Sequence, residues 1–129
     1  MPLTDKQKIG FAGENAAARF LMKHGFAVLD RNYRKKWGEI DIVAKKEGII
    51  HFVEVKAVSH ETNNYGKNGF RPEENVHFWK LKRLSRAIQT YLIEKDVPHE
   101  TEWQIDVMAV FLDLNRKKAT IRMTENVII

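Results

Sequence analysis

Asp41, Glu54 and Lys56 are the residues with chemistry to explain, because they stand inside two stretches, GEIDIVA and GIIHFVEVKAV, that otherwise have the make-up of buried strand. Aspartate and glutamate are poor strand formers, so carboxylates in such apolar surroundings need a reason. Side chains alternate across a strand, which puts Glu39 and Asp41 on one face and Ile40 and Ile42 on the other. Glu54 and Lys56 share a face by the same rule. If KKEG is a four-residue hairpin loop closed by Ala44 and Ile49, Glu39 faces Glu54, and Asp41 faces Phe52 with Glu54 on its diagonal. All four charged groups then project from one side, with β-carbons roughly 4.5 to 8 Å apart. Carboxylates this close repel one another unless a cation lies between them. Hard oxygen ligands with few nitrogens favour Mg²⁺ or Mn²⁺. Two plainer readings stand beside this one: a solvated polar sheet face, and a buried ion pair in which Lys56 neutralises a carboxylate.

The elements that must position these groups are legible on either side. Thr4 and Gln7 have the spacing of a capping box, so a helix is expected from about residue 5 to 24, with Ile9, Ala12, Ala16, Ala17, Phe20 and Leu21 as its apolar face and Gly25 as its stop. FAVLDRNYR follows as a first strand, then the two acidic strands. Residues 59 to 71 are rich in Asn and Gly and read as a mobile loop. Pro72, Glu73 and Glu74 suit the start of a second long helix, whose stripe of Phe78, Leu81, Leu84, Ile88, Tyr91 and Leu92 runs to about Lys95. TEWQIDVMAVFLDL is a largely apolar strand and KKATIRMTENVII an edge strand and tail. Strand three, a helix, then strand four makes a parallel crossover, expected to be right-handed. The predicted fold class is therefore α/β, a mixed central sheet flanked by helices, forming one domain over residues 1–129.

Composition excludes several classes of function. The 129 residues hold no cysteine, which rules out Cys-ligated zinc, Fe–S clusters and thiol catalysis. The N-terminus MPLTDKQKIG lacks the apolar core of a signal peptide, and no apolar run reaches the length of a membrane span, so a cytoplasmic location and no membrane partner are expected. A formal charge of +5 favours an anionic partner. Lys80, Lys82, Arg83 and Arg86 cluster on the second helix away from its apolar stripe, and Arg31, Arg34, Lys35 and Lys36 precede the acidic strand. Lys67, with Tyr65 and Arg71, adds to them from the polar loop. Such groups contact phosphates or form an ordinary solvated surface. The histidines His24, His51, His60, His77 and His99 show no ligand spacing, and the tryptophans read as packing residues.

Asp41, a short hairpin, then EVK at Glu54 to Lys56 resembles the D…ExK signature of the PD-(D/E)xK nuclease superfamily, whose restriction-endonuclease-like core has the order αβββαβ. More narrowly, GENAAARFL, NYRKKWGEIDIVA, FVEVKA and WKLKRLSRAIQTYL followed by WQIDVMAV are similar to the YraN family, bacterial proteins resembling archaeal Holliday-junction resolvases. The likeness runs from about Gly10 to Val110. It implies that Asp41 and Glu54 are metal ligands, with the Val55 carbonyl as a third oxygen, that Lys56 is the catalytic lysine, and that Glu14 is the acidic residue brought near the metal. Glu39 is auxiliary; Gly38-Glu39 stands where some members carry a proline before the aspartate. By itself Glu14 borders the apolar stripe of the first helix and fits either the site or a surface pair.

The expected function is Mg²⁺- or Mn²⁺-dependent hydrolysis of DNA phosphodiesters, extending to branched or recombination intermediates. Resolvases cut as dimers, so the resemblance implies a homodimer as a candidate assembly. The alternatives are a nucleic-acid-binding module of the same fold without turnover, and an interaction protein whose acidic cluster holds a structural ion.

Overall fold

A computed structural model describes residues 2–59 and 78–128. The expected loop from residue 60, including Lys67, and the start of the second helix before Phe78 lie outside the described residues. The elements run α1 (Asp5–Lys23), β1 (Ala27–Lys35), β2 (Gly38–Lys46), β3 (Ile49–Ser59), α2 (Phe78–Glu94), β4 (Trp103–Asp113) and β5 (Lys118–Thr124). The five strands form one mixed sheet in chain order. β1, β2 and β3 are antiparallel neighbours, β4 runs parallel to β3 after the α2 crossover, and β5 closes the far edge antiparallel to β4. This is the α/β architecture read from the sequence, with the restriction-endonuclease-like αβββαβ order completed by one further strand.

Local chemistry sets the ends of α1 as expected. The Thr4 hydroxyl accepts from the Gln7 N–H at 3.1 Å, and the Gln7 side-chain oxygen accepts from the Thr4 N–H at 2.9 Å. Gly25, at φ +87°, lets the chain reverse into β1. The helices cover opposite sheet faces. Ala16, Ala17 and Leu21 of α1 pack with Ile42, Ala44, Val53, Met108, Val110 and Leu112. Leu84, Ala87, Ile88 and Tyr91 of α2 pack with Ile40, Val43, Ile50, Phe52 and Ile105. Every residue of β4 from Ile105 to Leu112 is buried, which accounts for the missing alternation in IDVMAVF. No helix among the described residues is long and apolar enough to cross a membrane.

Two expectations about the hairpin are corrected. Lys46 pairs with Ile49, so the β2–β3 loop is Glu47-Gly48 alone, not KKEG. Both residues have positive φ, 50° and 81°, as a tight two-residue hairpin turn requires. The register therefore moves by two residues and brings Ile42 opposite Val53; extended one step, it sets Asp41 across from Glu54, not Phe52. Parity survives a shift of two. Strict alternation in β2 does not survive, because Ile40 packs under α2 whereas Ile42 packs under α1. The strand kinks at Asp41, and its neighbour follows: Asn32 in β1 takes φ 53°, with Arg31 turned to α1 and Tyr33 to α2. Glu39 and Asp41 thus do not share a regular face.

Candidate metal and nucleic-acid site

The kink opens a fork in the sheet. β2 and β3 are paired up to Ile42 and Val53, and beyond that point the Val55 N–H donates to the Asp41 carboxylate at 2.8 Å instead of to a β2 carbonyl. The side chain of Asp41 has taken over a ladder bond. In a strand the N–H and C=O of one residue point the same way, so the Val55 carbonyl looks into the gap that Asp41 fills. Glu54, on the α2 side of β3, reaches the same gap, near enough for its charge to raise the Asp41 pKa.

Two close contacts hold the helices against this fork. A β-carbon on Gly13 would come within 2.2 Å of the Ala57 methyl, and one on Gly38 within 2.0 Å of the Arg83 carbonyl oxygen. Only glycine allows α1 to lie this near β3 and α2 this near β2. The residue after Gly13 is Glu14; one turn before Arg83 is Lys80. Both are carried to the site by these contacts.

Lys80 is the cation that the structure adds to the constellation. Its ammonium meets Glu54 at 3.0 Å, with the Glu54 side chain 6% exposed and that of Lys80 46% exposed. Burial pulls the Lys80 pKa down, but Glu54, Asp41 and Glu39 outweigh it and hold the pKa above the usual lysine value. Burial raises the Asp41 pKa, the Glu54 charge raises it further, and the Val55 N–H offsets only part, so it is pushed up to about 8. Glu54 is also raised by burial, despite Lys80. Lys56 is half-buried and its pKa is lowered, first by desolvation and then by the charges of Lys80 and Lys6, with Glu54 opposing. The sequence pairs Lys56 with the carboxylates; in the fold Lys80 holds that contact.

Glu14 answers both of its expectations at once. It accepts from Arg31 at 3.2 Å and from the Asn32 amide at 2.8 Å, and its charge adds to the field that raises Asp41. Glu39 pairs with Arg34 at 3.5 Å and stays outside the fork, although Glu54 and Lys80 feel its charge. A cavity of about 600 Å³ opens over the site, lined by Asp41, Glu14, Lys80, Arg31, Arg34 and Val55 among others. Arg31 and Arg34 therefore border the carboxylates. Lys35 is paired with Glu94 at 2.9 Å, and Lys36 is exposed in the β1–β2 turn. Lys82, Arg83 and Arg86 are exposed on α2, with the Lys82 ammonium 5.7 Å from the centre of the Trp79 ring. The structure does not gather these five basic residues at the fork.

Sequence reasoning missed the kink and the link from Lys80 to Glu54. The only signals for them were Gly38 at the head of β2 and the three-residue step from Lys80 to Arg83.

A forked mixed sheet with paired carboxylates at the branch defines the class of protein: an α/β chain with a restriction-endonuclease-like core. The model of "Uncharacterised protein family UPF0102" matches residues 13–110, and this chain belongs to that family, the YraN family. It is similar to a UPF0102 protein of Campylobacter hominis, 38% identical over 120 residues and covering 93% of each chain. Others are a UPF0102 protein of Campylobacter jejuni and one of Clostridium botulinum, each 34% identical over 118 residues, covering 92% of this chain and 91% of theirs.

Proposed function

We propose that this chain is a divalent-metal-dependent endonuclease that hydrolyses DNA phosphodiesters, with branched or recombining DNA as its substrate class. The observation that carries the reading is the fork. Two carboxylates, Asp41 and Glu54, are pressed together under burial beside a backbone carbonyl, with the Lys80 ammonium in contact with Glu54. The donor set fits a hard dication: it is all oxygen, one carboxyl is pushed up to about 8 by burial and by the neighbouring Glu54 charge, and a cavity of about 600 Å³ leaves room for waters and a phosphate. Asp41, Glu54 and the Val55 carbonyl would hold the ion. When bound, it supplies Lewis acidity and lowers the pKa of a coordinated water.

The chain's own residues do the rest. Lys56, partly desolvated and with its pKa lowered, would position the attacking water, and the same desolvation makes it easier to deprotonate than an ordinary lysine. Lys80 balances Glu54 and, with its side chain half in solvent at the cavity, would also be able to meet a phosphate oxygen. Arg31 and Arg34 line the cavity where the adjacent phosphates of the strand would lie. Glu14 anchors Arg31 through the contact at 3.2 Å and so orients that guanidinium.

A second reading has an observation of its own. Because Lys80 already neutralises Glu54, the site is partly balanced without an ion, as a DNA-binding module without turnover would need. One assay separates them: linear, single-stranded, nicked and four-way DNA incubated with Mg²⁺, Mn²⁺ or chelator. The nuclease reading expects metal-stimulated cleavage that Asp41→Asn and Lys56→Ala abolish while DNA binding persists. Salt-sensitive binding with no cleavage by any of the three proteins would overturn it in favour of the binding module.

A further inference from the structure

His51, Asp106 and Glu125 form a second cluster, in which His51 lies near the start of β3, three residues before Glu54, and the other two come from β4 and the segment after β5. We propose that it is a binding site for a borderline divalent cation of the Zn²⁺ class, independent of the carboxylate pair at Asp41 and Glu54. Potential ligand atoms of the three residues all lie within 4.8 Å of one another. Asp106 is fully buried and His51 is 6% exposed, so two of the three are fixed parts of the core.

The hydrogen bonds show how the donors are prepared. One oxygen of Asp106, Oδ1, accepts from the Gln104 amide at 2.8 Å and from the Asn126 N–H at 3.0 Å. The other, Oδ2, meets His51 Nδ1 at 2.5 Å. Asp106 is thus used as an acceptor on every side; a cation at the cluster would displace the proton held between Nδ1 and Oδ2 and leave both atoms as ligands. The Phe26 ring packs edge-on to the imidazole at 4.9 Å and restricts it further. A buried aspartate pinned by three donors is an expensive way to hold a histidine that only fills space.

Access comes from a cavity of about 400 Å³ lined by His51, Glu125, His24 and Phe26 among others. Glu125 is exposed on the segment after β5, and that segment is tied down next to it: Asn126 donates to Asp106, and the Val127 N–H donates to the Ile105 carbonyl at 2.7 Å. The third ligand is therefore delivered by backbone bonds that use the same aspartate. Lys46 also borders the cavity, with its ammonium 5.1 Å from the centre of the Phe26 ring.

The donor set distinguishes the two sites chemically. The fork offers only oxygen and suits Mg²⁺ or Mn²⁺; one imidazole with two carboxylates suits Zn²⁺, Co²⁺ or Ni²⁺. Three protein ligands leave coordination positions open to water.

The test is a calorimetric Zn²⁺ titration of the full chain carrying Asp41→Asn and Glu54→Gln, which removes the fork's ligands. One Zn²⁺ per chain is expected to remain, weakened at least tenfold by His51→Gln and by Glu125→Gln when each is added to that background. Because Glu125 is exposed, Glu125→Gln tests the site even if the His51 variant fails to fold. Absence of Zn²⁺ binding in the fork-deficient protein, or binding that Glu125→Gln leaves unchanged, overturns the proposal.

Discussion

Replacing Asp41 by asparagine keeps the shape of the fork and removes its charge, so it isolates the electrostatic cost of the site. The amide oxygen of asparagine can still accept the Val55 N–H that Asp41 now accepts at 2.8 Å. In the folded protein the Asp41 pKa rises from its ordinary 3.8 to about 8, chiefly through burial and then through Glu54. A carboxyl raised on folding binds its proton more tightly in the native state. Its contribution to stability is therefore complete below the unfolded value and lost as pH climbs through the folded value. Each pH unit inside that window costs at most about 1.4 kcal/mol, so the metal-free protein should lose up to about 2.8 kcal/mol between pH 5 and pH 7 from this group. Lys80 and cavity water screen part of this, and about 1 to 2 kcal/mol is the expected loss. Urea unfolding in chelator at a series of pH values reads it directly. Asp41→Asn should flatten the slope and be the more stable protein at pH 8, whereas wild type should recover stability on adding Mn²⁺ and the variant should not. A variant less stable than wild type at pH 8 without metal, or a pH slope equal in both, would refute the electrostatic account.

Other consequences are as specific. Lys80→Met removes the ammonium 3.0 Å from buried Glu54; with Lys80 half in solvent, the expected loss is about 1 kcal/mol at pH 8, read by chelator-treated melts and reversed by Mn²⁺. Gly38→Ala places a methyl 2.0 Å from the Arg83 carbonyl oxygen; α2 must move, at a cost of about 1 to 3 kcal/mol, and a variant that melts with wild type would show that the contact is not tight. Arg31→Ala with Arg34→Ala should weaken DNA binding and reduce the slope of log affinity against log salt by about 2; an unchanged slope would remove these residues from the interface. Asp106→Asn leaves His51 facing an amide in a buried place, and a loss of about 1 to 3 kcal/mol is expected in chemical unfolding.

Most of the frame could be read from the chain because its signals were local. The Thr4–Gln7 cap, the apolar stripes of the helices and the apolar run of β4 each specify an element without help from elsewhere. The carboxylates were legible for the opposite reason, since Asp41 and Glu54 break the pattern that surrounds them. What escaped depends on contacts between elements. The hairpin register turned on Glu47 accepting a positive φ, which a glutamate does not advertise. The kink at Asp41 is stabilised by a bond to a residue on the next strand, and β1 must bend with it at Asn32. Lys80 looked like one of four surface cations on α2, and only the close approach at Gly38 reveals that it alone is lowered onto Glu54. His51 and Asp106 are 55 residues apart, so no spacing rule could pair them.

The central claim is that the fork gathers carboxylates to hold a hard divalent ion for work on DNA. The most direct measurement is Mn²⁺ titration of the wild-type chain, of Asp41→Asn and of Glu125→Gln, followed by electron paramagnetic resonance of the free ion, with cleavage of four-way DNA scored on the same samples. A Mn²⁺ site present in wild type and Glu125→Gln but absent in Asp41→Asn, with cleavage tracking its occupancy, is the predicted result. Mn²⁺ binding that Asp41→Asn leaves intact, or cleavage that continues without it, would contradict the account.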